Sequence, residues 1–161
     1  MKTFFLTFLL LILTGCVFGQ ENLHEIDIKV NGVRSGSSYA SVIQKVGKPM
    51  RTKTEKYKVS EACSNLAETH LTLYYSGLEI TLLGNSRGKN LDIYRIEISS
   101  KRWLASGVRI GTTSENIIAK FNEPNSKAES SGETVFYYVT KGNLGGVNFY
   151  FKGNKLNNPS C

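Results

Sequence analysis

Apolar residues follow three rhythms along the chain. From Phe4 to Leu13 they form a run broken only by Thr7. At Tyr39, Val42, Ile43 and Val46 they recur at i, i+3, i+4 and i+7, which places them on one face of a short helix. Ile117, Ile118 and Phe121 form the same kind of stripe later on. Elsewhere apolar and polar residues alternate, the period of a strand with one buried face. This predicts strands over "HLTLYY" (70–75), "LEITLL" (78–83), "LDIYRIEI" (91–98), "ETVFYYV" (133–139), "GVNFYF" (146–151) and "KL" (155–156). Gly77, "GNSRGKN" (84–90), Gly145–Gly146 and "KGN" (152–154) supply the turns between them. "KPMRTKTEKYK" (48–58) reads as a solvated basic strand and loop.

One phrase is written twice. "GSSYASVIQKVGKP" (36–49) aligns with "GTTSENIIAKFNEP" (111–124) at a constant offset of 75. The glycine, the apolar pair, Lys45 with Lys120, and the closing proline all share that register. Ser37 or Ser38 caps the first helix, and Thr112 with Glu115 reads as a capping box for the second. Pro49 and Pro124 end the helices, because a residue before proline avoids the helical region.

The order of elements after each phrase predicts an α+β fold. It would hold two tandem copies of a short helical segment followed by an antiparallel β-meander, with the helices on one face of the sheet. The boundaries that follow are an export signal over 1–19, an N-terminal segment over 20–32, a first α/β repeat over 33–100, a linker over 101–107 and a shortened second repeat over 108–161. The first copy carries an extra "YKVSEACSNLAE" (57–68).

The opening "MKTFFLTFLLLILTGCVFGQ" has the layout of an export signal: Lys2, then an apolar run too short for a span of roughly 20 residues, then small residues. Cleavage after Gly15 would leave Cys16 as the mature N-terminus, and "LTGC" resembles a bacterial lipobox, which implies lipidation of Cys16. Cleavage after Gly19 would remove it. The mature chain then keeps Cys63 and Cys161, an even number in an oxidising compartment and a candidate disulfide.

The formal charge is +7, with 20 Lys and Arg against 13 Asp and Glu. In an exported chain this points to anionic envelope surfaces rather than nucleic acid. Chemistry finds little support. "GNSRGKN" lacks the spacing and the Ser or Thr of a phosphate loop. His24 and His70 stand far apart, with no metal-ligand spacing. Cys63 and His70 could pair as nucleophile and base, but a partner cysteine favours a disulfide. Glu79 and Glu97 are dispersed carboxylates without the paired arrangement of a glycosidase. The sequence therefore predicts no enzyme, no metal site and no cofactor.

The doubled phrase, followed by aromatic hairpins, looks like the BamE/SmpA outer-membrane lipoprotein family. Written in tandem, it looks like the fold of the β-lactamase inhibitor protein. The resemblance covers most of residues 33–156, and its motifs are structural. It implies helices packed on one side of an antiparallel sheet and a concave face that binds proteins.

Strand alternation puts Tyr74, Glu79, Thr81, Arg95, Glu97, Tyr137, Asn148 and Tyr150 on that open face, with Trp103 beside it, and Tyr94, Ile96 and Ile98 inward. The expected function is a non-catalytic, exported protein-binding or scaffolding module of the cell envelope. It would be periplasmic, secreted, or attached to the outer membrane through Cys16, with another envelope protein as partner and no nucleic acid. The alternatives are a proteinaceous inhibitor of a secreted or periplasmic hydrolase, and a basic protein that binds anionic lipid or glycan surfaces.

Overall fold

The computed structural model describes residues 24–58, 67–141 and 145–157. The export signal with Cys16, and both Cys63 and Cys161, lie outside the described residues.

The elements are β1 (Glu25–Ile26), α1 (Tyr39–Val46), β2 (Arg51–Lys58), β3 (Ala67–Tyr75), β4 (Leu78–Asn85), β5 (Asp92–Ile98), α2 (Ser114–Phe121), β6 (Ser126–Ser130), β7 (Glu133–Thr140), β8 (Gly146–Lys152) and β9 (Lys155–Asn157). They build two sheets. One is an antiparallel run β2-β3-β4-β5. In the other, β7, β8 and β9 are neighbours in that order, and β6 and parallel β1 share the far edge of β7.

The expected α+β class is corrected. Among the described residues the protein is mostly β, 50% strand against 13% helix, with a curled half-barrel sheet arrangement and only two short helices. It is not a single sheet with helices laid over one face. The cause is visible in the sequence. Each helix has eight residues, and only Val42 in α1 and Ile117 and Phe121 in α2 are buried. Such helices are too short to form a layer, so the strands enclose most of the core themselves.

That core falls into two clusters. Val42, Leu73, Leu78, Ile80, Leu82 and Ile93 gather with Val30, Val33 and Ala105. Ile117, Phe121, Phe136, Tyr138, Phe149, Phe151 and Leu156 gather with Ile26 and Val108. Ile28 packs against both clusters. The N-terminal segment thus ties the sheets together. Its Ile26 and Glu25 extend β7, and the backbone of Lys29 exchanges hydrogen bonds with Ser106.

The two fourteen-residue phrases take the same local conformation. Gly36 and Gly111 both have positive φ, at 76° and 94°. Ser38 caps α1, and Thr113 caps α2, each accepting from the amide three residues on. The cap of α2 is therefore Thr113, one residue later than the capping box on Thr112 would place it. Thr112 is already engaged, its hydroxyl accepting from the Arg109 amide at 3.3 Å. Past the helices, the Tyr75 hydroxyl donates to the Gly47 carbonyl at 3.0 Å, and Tyr138 donates to the Asn122 carbonyl at 2.8 Å.

Three strands carry no signal of their own in the apolar pattern. The "RTKTEKYK" of β2 holds no apolar alternation and reads as part strand and part loop, yet it pairs along its whole length with β3. β6, "SKAES", and the two-residue β1 are likewise held by pairing with β7 rather than by an apolar pattern.

Candidate functional site

β4 and β5 pair from Leu78↔Ile98 to Thr81↔Arg95, and then the register shifts to Leu82↔Ile93. The extra residue of this bulge is Tyr94. A bulge turns the following side chains to the other side of the strand. Ile93 is therefore buried, while Tyr94 is 61% exposed rather than inward as the simple alternation predicts.

The expected open face of the first sheet exists as cross-strand rows. Arg51, Tyr74, Glu79 and Glu97 form one, and Lys53, Thr72, Thr81 and Arg95 the next. Their side chains engage each other. The Arg51 guanidinium lies 4.2 Å from the Tyr74 ring centroid. Arg95 reaches Glu79 at 3.4 Å and Glu97 at 3.1 Å, so one guanidinium holds both carboxylates. Thr81 and Thr72 are buried beneath the longer neighbours in these rows. Trp103 does not extend this face. Its indole donates to the Ser76 carbonyl at 2.8 Å, its ring meets Tyr75 edge-on, and it packs against the first core cluster.

On the second sheet, Tyr137 sits between Ser126 and Asn148, and Tyr150 between Val135 and Asn157. The Tyr137 ring covers Gly146, where any Cβ would collide with it.

Between the sheets lies an open groove of about 530 Å³. Four of the nine expected face residues line it: Arg95, Glu97, Asn148 and Tyr150. Tyr74, Glu79, Thr81, Trp103 and Tyr137 do not. Sequence reasoning missed the rest of the wall, above all Ile96, Ile98 and Arg109, and the apolar floor of Ile28, Val30, Ala105 and Val108. The floor comes from two tight turns, Val30–Val33 and Ala105–Val108, closed by reciprocal backbone bonds of 2.8–3.0 Å. Asn31–Gly32 and Ser106–Gly107 both take positive φ in them, as two-residue hairpin turns require.

The groove is lined by consecutive residues, Ile93 to Ile98 on one wall and Gly145 to Tyr150 on the other. A sheet face would contribute alternate residues. Consecutive ones mean that the groove runs along two strand edges, those of β5 and β8.

Both histidines and Asp27 are held in local contacts away from the groove. His70 sits 3.7 Å from Glu68 and against the Tyr57 ring, and His24 lies 3.4 Å from the Asn122 amide. Asp27 is lowered in pKa chiefly by hydrogen bonding to Lys29, with Arg34 adding to it. Among the described residues no group of three metal-ligating side chains occurs, and no helix is long and apolar enough to cross a membrane. Comparison with protein-family models, with curated proteins and with solved structures yields no match for the chain.

Proposed function

We propose that the chain is a non-catalytic, exported protein-binding module of the cell envelope. The observation that carries this reading is the groove between the sheets. It combines an apolar floor, two exposed strand edges and a rim of Tyr94, Tyr150, Arg95 and Arg109. Apolar surface with aromatic and arginine rims is the composition of protein contact sites. The export-signal layout of residues 1–20 supports the cell-envelope setting. On this reading the module works in the periplasm or from a lipid tether on Cys16, and its partner is another envelope protein.

Site-specific photo-crosslinking tests it. A benzophenone side chain replaces Tyr94 at the groove, or Tyr57 on the far edge strand β2, and the protein is irradiated in envelope extract. A discrete protein adduct from position 94 and not from position 57 is the expected result. Adducts from both positions to lipid or glycan alone would overturn the reading.

A further inference from the structure

The edges away from the groove are polar. β2, the outer edge of the first sheet, reads "RTKTEKYK", and β6 on the second reads "SKAES". Lysines and other polar residues along an edge oppose pairing with another chain. The edges that border the groove are different. β5 reads "DIYRIEI" and β8 reads "GVNFYFK". The start of β5 bonds to residues 36–39 and the end of β8 to β9, which leaves β5 beyond Ile93 and β8 before Tyr150 open to pairing across the groove.

Their backbone groups are poised for a partner. The Ser99 amide donates to the Gly77 carbonyl, which sets the phase of the β4–β5 ladder. Residues 95 and 97 then bond to β4, and Ile96 and Ile98 turn their N–H and C=O groups toward the groove. On β8 the Thr140 amide donates to Gly145, so Gly146, Asn148, Tyr150 and Lys152 face away from β7. β9 takes up Tyr150 and Lys152, opposite Asn157 and Lys155. Among the described residues none pairs with the outward groups of Ile96, Ile98, Gly146 and Asn148.

We propose that the groove binds an extended segment of a partner protein by strand addition along β5 and β8, a segment that alternates apolar residues and carries a carboxylate. This rests on the protein-binding reading and specifies its mode. Main-chain hydrogen bonds to the two edges would give affinity, and the apolar floor would take alternate side chains. The carboxylate follows from charge. Arg109 lines the groove, is exposed and makes no ion pair among the described residues, whereas Arg95 is shared by two glutamates. The whole chain is +7. In a second copy the edge strands away from the groove, β2 and β6, are charged and polar, which opposes their pairing here.

The test selects peptides from a random twelve-residue display library on the mature protein, then maps the best by amide hydrogen exchange. Expected are sequences that alternate apolar residues and contain Asp or Glu. They should slow exchange at Ile96, Ile98 and Asn148 at least tenfold, and Arg109→Glu should weaken them tenfold or more. Ile98→Pro removes one edge amide and should also weaken them. If that variant fails to fold, Arg109→Glu and the exchange map still decide. Protection of these amides in the free protein would mean that the chain fills its own groove, and protection that grows with protein concentration would mean a second copy. Either outcome overturns the proposal, as does a library that yields no binder. Peptides that protect only the Tyr74 face would overturn strand addition while leaving a protein-binding function. The same holds for a Tyr94 crosslink to a folded partner that leaves Ile96 and Asn148 unprotected.

Discussion

The hydroxyl end of the Tyr137 ring lies diagonally across the β7–β8 pair against Gly146, in the space that a Cβ at position 146 would need. An aromatic ring over a strand glycine shields the backbone that the glycine leaves bare. It also fixes where the ring can be, so Tyr137 is partly spent on its own sheet.

Gly146→Ala is therefore expected to destabilise the protein by about 1–3 kcal/mol, the range for overpacking a well-filled site. Tyr137→Ala combined with Gly146→Ala should recover part of that loss, since the collision then disappears. Urea denaturation of the two single variants and the double variant measures the coupling. Additive losses would show that the ring and the glycine are independent.

A second prediction concerns Tyr138, fully buried in the second cluster with its hydroxyl donating to Asn122. Burial pushes its pKa up to about 12 from 10.0, and the nearby charge of Glu123 adds to the shift. The unfolded chain releases this proton near pH 10, and the folded chain keeps it to about 12. The folded state thus binds more protons in that window, so stability falls as pH rises through it and is fully present below it. Tyr138→Phe should cost about 1 kcal/mol at neutral pH through the lost hydrogen bond. It should also remove this component of the alkaline decline. Melting temperatures of both proteins from pH 7 to 12 check this, and parallel curves would contradict it.

Much of the strand content was legible because those strands alternate. The strands predicted over 70–75, 78–83 and 133–139 reappear with ends moved by no more than three residues in β3, β4 and β7. What alternation could not give was any strand held only by its neighbour, such as β2 and β6. Nor could it give the bulge that throws Tyr94 outward, since a bulge depends on two strands and leaves no mark in one. The class was misjudged for a related reason. A helical stripe of three or four residues looks the same in a covering layer as in an eight-residue plug. Arg95, Glu97, Asn148 and Tyr150 were named from their own strands, but the groove that gathers them is bounded by edges. Its clue was the contrast between β2, where Tyr57 is the one apolar residue, and β5, which holds Ile93, Tyr94, Ile96 and Ile98.

The helix caps give a third prediction. Ser38 and Thr113 each accept from a first-turn amide, at 3.3 and 3.4 Å. Ser38→Ala and Thr113→Ala should each cost about 1 kcal/mol, whereas Thr112→Ala should leave α2 capped. Glu115 adds a pH signature. Its carboxyl is held below the ordinary value, first by its own backbone amide and then by the Thr113 hydroxyl. A lowered folded pKa means stabilisation that is present above the unfolded value of about 4.5 and is lost as pH falls through the folded one. Thr113→Ala should therefore flatten the acid limb of the stability curve, which a series of melts between pH 3 and 6 would reveal.

The last prediction turns on Arg95. Glu79 and Glu97 are direct cross-strand partners, and only the Arg95 guanidinium separates their charges. All three side chains are 30–54% exposed, so the ion pairs themselves contribute little, on the order of 0–1 kcal/mol. Arg95→Ala should nevertheless cost more than such an exposed pair alone, because it leaves two like charges opposite each other on neighbouring strands. Glu97→Gln added to Arg95→Ala should then restore stability, even though it removes a further charged group. The cost of Arg95→Ala should also shrink in high salt, where exposed charges are screened. Denaturation of the single and double variants at two ionic strengths separates these effects. If Glu97→Gln deepens the loss instead, the guanidinium is packing on the sheet rather than holding the two carboxylates apart.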